Sequence, residues 1–227
     1  MDFKALQTTP AWEWPPDASQ TIKAVLIDAH ASEEDRIAAA LLAGDCVVID
    51  EPLITALCSV LRSDKESDKL RAVAAIAFGP VLELQSEDDD DLPVSPKSLG
   101  QAQQALRAVH DDATAPILVR RRALEASVRN PEPWHNPAVL SAYERGGDWK
   151  VTAVFCMRYV PGFEAQIVAS LSDPDPAMLI EAVAAAGERG YRVCLDRRQA
   201  LAVAEDRKGA AAGIHRSLPR AVSGGPR

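Results

Sequence analysis

A chain of 227 residues is long enough for one large domain or two small ones, and for a core that buries most of its apolar surface. Apolar residues make up 47% of it but aromatics only 5%. The balance is largely Ala, in runs such as Ala38-Ala39-Ala40 and Ala184-Ala185-Ala186, which is the composition of helices packed closely on one another. A net charge of -8 excludes general binding to nucleic acid or to an anionic membrane surface, since both need a basic face.

Residues 1–20 hold Trp12-Glu13-Trp14-Pro15-Pro16, where the prolines forbid a helix and the two indoles of an extended segment point to opposite sides. This segment is expected to cap the exposed end of the first helices, with a docking motif for a partner as the alternative. Ile22, Val25 and Leu26 mark a helix over 21–29. Ser32, followed by Glu33-Glu34-Asp35, is an N-cap with an acidic first turn, and that helix stops at Gly44. After Asp50-Glu51-Pro52, Leu53, Ile54, Leu57, Val60 and Leu61 fall at helical spacing. The polar stretch 63–68 is a loop, "KLRAVAAIAFG" is the next helix, and Gly79-Pro80 reads as its stop.

Glu87 to Asp91 is a run of five carboxylates that repel one another, so 85–98 is expected to be an exposed acidic insertion; it lacks the spacing and turn Gly of a Ca²⁺ loop. Helix resumes at Pro96 or Lys97, with Leu99, Ala102, Leu106 and Val109 on one side and Gln103, Gln104 and Arg107 off that stripe. Residues 110–116 read as a loop and helix start. "ILVRRRALEASVRN" follows and ends at Asn130-Pro131; its run Arg120-Arg121-Arg122 is expected to be solvent-exposed or paired with acidic neighbours. Trp134-His135 precedes the helix "AVLSAYER". The stretch 148–187 then reads as helix, Pro-Gly turn, helix, Asp-Pro-Asp-Pro stop, and the start of another helix.

Aligning small-plus-apolar pairs of alternate helices (Ala39-Ala40, Ala74-Ala75, Ala123-Leu124, Ala153-Val154, Ala182-Val183) gives successive offsets of 35, 49, 30 and 29 residues. Two helices per unit at that period predict an all-α α-solenoid over 21–188, in which hairpins share one elongated hydrophobic seam. Beyond 188 the pattern departs: nine Lys/Arg face three Asp/Glu, so 189–227 carries +6 and 1–188 carries -14. A short helix from 196 to 206 and a disordered end beyond 207 are expected.

On "LRAVAAIAFG", "VRRRALEAS" and "DPDPAMLIEAVAAAG" the chain resembles the HEAT-repeat family, in particular its bacterial phycobilisome-lyase HEAT-like subgroup. The resemblance spans about 21–187. It implies a right-handed superhelix of about five helical hairpins, and an inner surface lined by the second helices, where Gln103, Gln104 and Arg107 would lie. The subgroup's name suggests chemistry on a bilin chromophore as an enzymatic alternative.

The residues themselves supply little catalytic chemistry. Cys46, Cys58, Cys156 and Cys194 are far apart, with no His at ligand spacing, and read as small buried hydrophobes rather than as ligands or disulfide partners. His30, His110, His135 and His215 form no metal motif, and no nucleophile elbow, phosphate loop or dinucleotide fingerprint occurs. No leader and no membrane span is recognisable, which predicts a cytoplasmic protein with no membrane partner. The expected function is a non-enzymatic scaffold for a protein partner, without cofactor. Arg121, Arg122, Trp134 and His135 join Gln103, Gln104 and Arg107 as candidate binding residues, because Trp and Arg anchor interfaces. For Trp134 and the arginines the competing account is structural: packing over an interhelix loop, and bridging to acids of neighbouring units. Nucleic-acid binding through the basic tail is the remaining alternative.

Overall fold

The computed structural model describes residues 1–86 and 94–190, which form twelve α-helices and one 3-10 turn, with no strand among them. The helices are α1 (Phe3–Thr8), α2 (Ala18–Ile27), α3 (Glu33–Ala43), α4 (Glu51–Arg62), α5 (Asp68–Ile76) and α6 (Gly79–Ser86). After the acidic run come α7 (Pro96–Asp111), α8 (Ile117–Ser127), α9 (His135–Arg145), α10 (Gly147–Cys156), α11 (Glu164–Ser170) and α12 (Pro176–Glu188). Their starts are written in the sequence. Ser32, Asp50, Ser67, Ser95 and Asp175 each turn a side-chain oxygen onto an otherwise unpaired N–H of the first turn, at 2.8–3.3 Å.

The arrangement is solenoid-like. The helices holding the aligned Ala positions, α3, α5, α8, α10 and α12, pack each on the next and make one layer. In the other layer α2 packs on α4 and α4 on α7, while α9 lies against α10, and α11 against α10 and α12. Small side chains make the first layer possible: Ala39, Ala40, Ala74, Ala75, Ala123, Ala153 and Ala182 are all fully buried.

The repeat also carries a basic residue three positions before each of the first three Ala markers. Arg36, Arg71 and Arg120 donate Nε to the carbonyls of Leu26, Leu61 and His110, at 3.0, 3.1 and 2.9 Å. Each of these carbonyls is at or near the end of the preceding second-layer helix, where backbone oxygens lack helical partners and the helix dipole favours a cation. Arg71 is the most buried of the three. Arg71→Leu is therefore expected to lower the unfolding free energy by about 2 kcal/mol, the value of a charge-assisted bond, with Arg71→Lys recovering part of it. Urea denaturation of the three proteins measures this.

Four expectations change. The segment before the prolines is helical (α1), and Trp12 sits in a 3-10 turn, 80% exposed. Only Trp14 caps the array, packing on the core and donating Nε1 to the carbonyls of Leu6 (3.2 Å) and Thr9 (2.8 Å). Gly79-Pro80 does not stop the helical path but opens α6, because Pro in a first turn forfeits no helical hydrogen bond. Residues 110–111 are the last turn of α7 rather than a loop.

The fourth change concerns the seam, which is not continuous. Two apolar clusters meet along α8 and its C-cap: Val119, Ala123 and Ala126 belong to the N-terminal one, Leu124 and the capping Val128 to the C-terminal one. The acidic run 87–91 and everything beyond Gly190, including Cys194, His215 and the expected short helix, lie outside the described residues.

Candidate functional site

The seven candidate binding residues separate into an interior set and a surface set. Gln103 is 5% exposed and His135 fully buried. Gln103 was expected off the apolar stripe of α7, but α7 is covered by α4 and by α8, so its buried arc is wider than one stripe. Its amide Nε2 donates to the carbonyls of Ser127 (3.1 Å) and Asn130 (2.8 Å), ending α8, while its Oε1 has no hydrogen-bond partner. His135 opens α9 with its ring pointing inward. The Glu132 N–H lies 2.7 Å from Nδ1, which must then be the acceptor, and Nε2 is 3.1 Å from the Ser127 hydroxyl. Burial, with His110 and Arg107 nearby, pulls its pKa down to about 4, so the ring is neutral.

Arg121 and Arg122 are held in a second network on the opposite side of α8. Glu125, 3% exposed, accepts from Arg122 and from Thr152 Oγ1 (2.6 Å). Thr152 Oγ1 in turn accepts from Arg121 Nε (2.9 Å), and Arg121 Nη1 bonds Asp148 of α10 at 2.6 Å. The arginines thus bridge acidic groups, one of them across to the next unit; Arg121 is largely covered, while Arg122 keeps 44% of its side chain exposed. With Gln103, Ser127 and His135 this makes a polar belt around α8, which is why the apolar seam divides there. Thr152→Val removes one acceptor and one donor while keeping shape, leaving a buried carboxylate oxygen short of a partner. It is expected to cost about 2 kcal/mol in thermal unfolding, with Thr152→Ser close to wild type.

Trp134 is half-buried, its Nε1 bonded to the Glu132 carboxylate at 2.8 Å. It lies in a pile with His135 (centroids 3.9 Å apart) and His110 (5.5 Å), and His110 is 5.9 Å from Trp149. Arg107 covers the Trp134 ring at 5.5 Å, and Arg120 and Arg145 flank the Trp149 ring at 5.7 and 4.9 Å. This pile joins the end of α7 to α9 and α10, so its aromatic faces are already occupied by side chains of the chain itself.

The open surface is elsewhere. Gln104 is exposed on α7 and, with Gln101, faces Ile54, Thr55, Cys58, Ser59, Arg62 and Ser63 of α4 and its end across a groove of about 660 Å³. A second groove, about 500 Å³, runs between α2 and α4 over Lys23, Ile27, Glu51, Pro52, Thr55, Ala56 and Ser59. Thr55 and Ser59, exposed on the crest of α4, line both, so the two grooves adjoin as a double channel over three second-layer helices. Its middle is hydroxyl and amide, groups that donate and accept, while the α2 end is apolar. Among the described residues Arg62 and Lys23 make no ion pair, whereas Glu51 has both oxygens engaged, by Ser95 N–H (2.7 Å) and by the Ser98 hydroxyl. Those bonds hold the Glu51 carboxyl below the usual range. Thr55, Ser59, Arg62 and Lys23 were not singled out from sequence; the signal available was a polar face on α4 opposite its Leu-rich one.

Cys156 is fully buried, and burial pushes its thiol pKa well up, which disfavours the thiolate. Cys58 is raised by burial too. Among the described residues no group of three His, Cys, Asp or Glu stands close enough to hold a metal ion, and no helix is long and apolar enough to cross a membrane. No family model matches the chain, and no curated protein is similar to it.

Proposed function

We propose that the chain is a non-enzymatic helical-repeat scaffold of HEAT-like units that binds a protein partner along the face of α2, α4 and α7. The channel shared by these helices carries the reading: it is open, crosses successive units, and is lined by Gln104, Gln101 and Ser59, whose hydroxyl and amides can pair with a peptide backbone in either direction, and by Thr55, whose hydroxyl donates to the Glu51 carbonyl at 2.9 Å and can still accept. The other candidate residues support it indirectly. Gln103 and His135 fix where α8 ends and α9 begins, and Arg121 and Arg122 tie α8 to itself and to α10, so the exposed face stands on a rigid frame.

Ser59 lies where the grooves join, so Ser59→Trp fills both without touching the core. Immobilised wild-type protein is expected to capture a stoichiometric partner that Ser59→Trp loses. Ile180→Asp, altering an exposed position on α12, should keep it. Equal capture by wild type and Ser59→Trp would overturn the assignment of this face.

A further inference from the structure

We propose that the occupant of the channel is an extended acidic peptide segment of a partner protein; this rests on the reading of α2, α4 and α7 as the binding face. The argument is one of charge. A chain with 33 Asp and Glu against 25 Lys and Arg is expected to show negative surface, yet along this channel the balance is reversed. Among the described residues, Lys23 and Arg62 line it without an ion pair, and the one lining carboxylate, Glu51, has its oxygens turned onto Ser95 and Ser98. A serine hydroxyl and a backbone N–H hold that carboxylate in place without cancelling its charge, so the lining carries two cations, Lys23 and Arg62, against one anion, Glu51.

Packed helices stand about 9 Å apart, so crossing from α2 to α7 covers roughly 18 Å, the length of about six extended residues. Alternate side chains of such a segment face the channel. Carboxylates there meet Lys23 and Arg62, and a small apolar side chain fits over Ile27, Pro52 and Ala56 at the α2 end.

Fluorescence anisotropy with three labelled dodecapeptides tests this: alternating Glu and Ala, alternating Lys and Ala, and alternating Ser and Ala. The acidic peptide is expected to bind, to weaken steeply from about 50 to 500 mM salt, and to bind about tenfold more weakly to Arg62→Glu and to Lys23→Glu. Lys4→Glu, on α1, should leave binding unchanged. Equal binding of the Ser and acidic peptides, lost in Ser59→Trp, would overturn the acidic assignment and keep the binding face. Failure of all three peptides to bind would overturn the acidic assignment, and partner capture insensitive to Ser59→Trp would remove the face itself. Concentration-dependent self-association of the protein abolished by Arg62→Glu would overturn it in favour of a second copy as occupant.

Discussion

Gly44→Val is expected to lower the unfolding free energy by about 3 kcal/mol, and Gly44→Ala by about 1–3, the usual range for overpacking a tight interior. The reason is not backbone freedom. Gly44 ends α3 with φ −83°, a conformation open to any residue. It is proximity: a Cβ built there would lie 2.6 Å from the carbonyl oxygen of Ala77 and 2.9 Å from its Cα. Those are backbone atoms at the end of α5, and Ala77 is itself buried, so they cannot swing away as a long side chain would. Admitting the methyl requires the ends of α3 and α5 to separate, which loosens the first packing step of the Ala-rich layer.

Two other glycines calibrate the claim. Gly79→Ala would meet Arg129 Nε at 2.8 Å, a side chain held by Glu83 at 2.8 Å but able to shift, so a smaller loss is expected. Gly100→Ala, within α7, has nothing within 4 Å and should stabilise by about 0.5–1 kcal/mol through helix propensity. Thermal melts of the three variants give the ordering. A Gly44→Ala protein as stable as wild type would show that α3 and α5 are not pressed together as described.

The parts of this architecture that were legible in the sequence are those fixed by local chemistry. Ser32 before three acidic residues, Asp50 before Glu51-Pro52 and Asp175 before Pro176 each announce a helix start, because a short polar side chain can reach a first-turn N–H only from that position. The Ala pairs at a common period marked the stacked layer, since close packing admits little else. What the sequence did not reveal depends on a second surface arriving from far along the chain. Gln103 looks solvent-facing on an isolated α7, and only the arrival of the end of α8 buries it. His135 beside Trp134 looks like an interface pair, but the inward ring answers Ser127, eight residues earlier.

Three consecutive arginines cannot share a direction on a helix, and they part accordingly: Arg120 to the end of α7, Arg121 to α10, Arg122 back onto Glu125. Gly79-Pro80 was ambiguous for a different reason, because the same pair ends one helix or begins the next. The channel was the least visible feature, since Thr55, Ser59 and Arg62 are ordinary surface residues until α2 and α7 flank them.

The second large effect is acid lability centred on His135. In the folded chain its pKa is about 4, against about 6.5 for the unfolded imidazole. Between these values the unfolded state carries a proton that the folded state refuses, so the unfolded state binds more protons and stability rises with pH. The contribution is complete above pH 6.5 and declines as pH falls through the window. Below about 4 both states are protonated and the loss levels off at up to about 3 kcal/mol. His110 acts in the same direction, since burial lowers its pKa as well.

The geometry says why the folded state resists. A proton on Nδ1 collides with the Glu132 N–H that donates to it, and the positive ring would sit in the buried belt with Ser127 and Gln103. The Glu132 carbonyl, 3.2 Å from Nδ1, offsets only part of this. Urea denaturation at half-unit steps from pH 7.5 to 4 should therefore show a falling midpoint with most of the loss between 6.5 and 4.5. His135→Gln, which supplies an amide but no titrating group, is expected to be less stable at pH 7.5 and to fall more gently on acidification. Parallel curves for the two proteins would mean that His135 is solvated rather than locked between Glu132 and Ser127, and that the belt around α8 is not the acid-sensitive element of the fold.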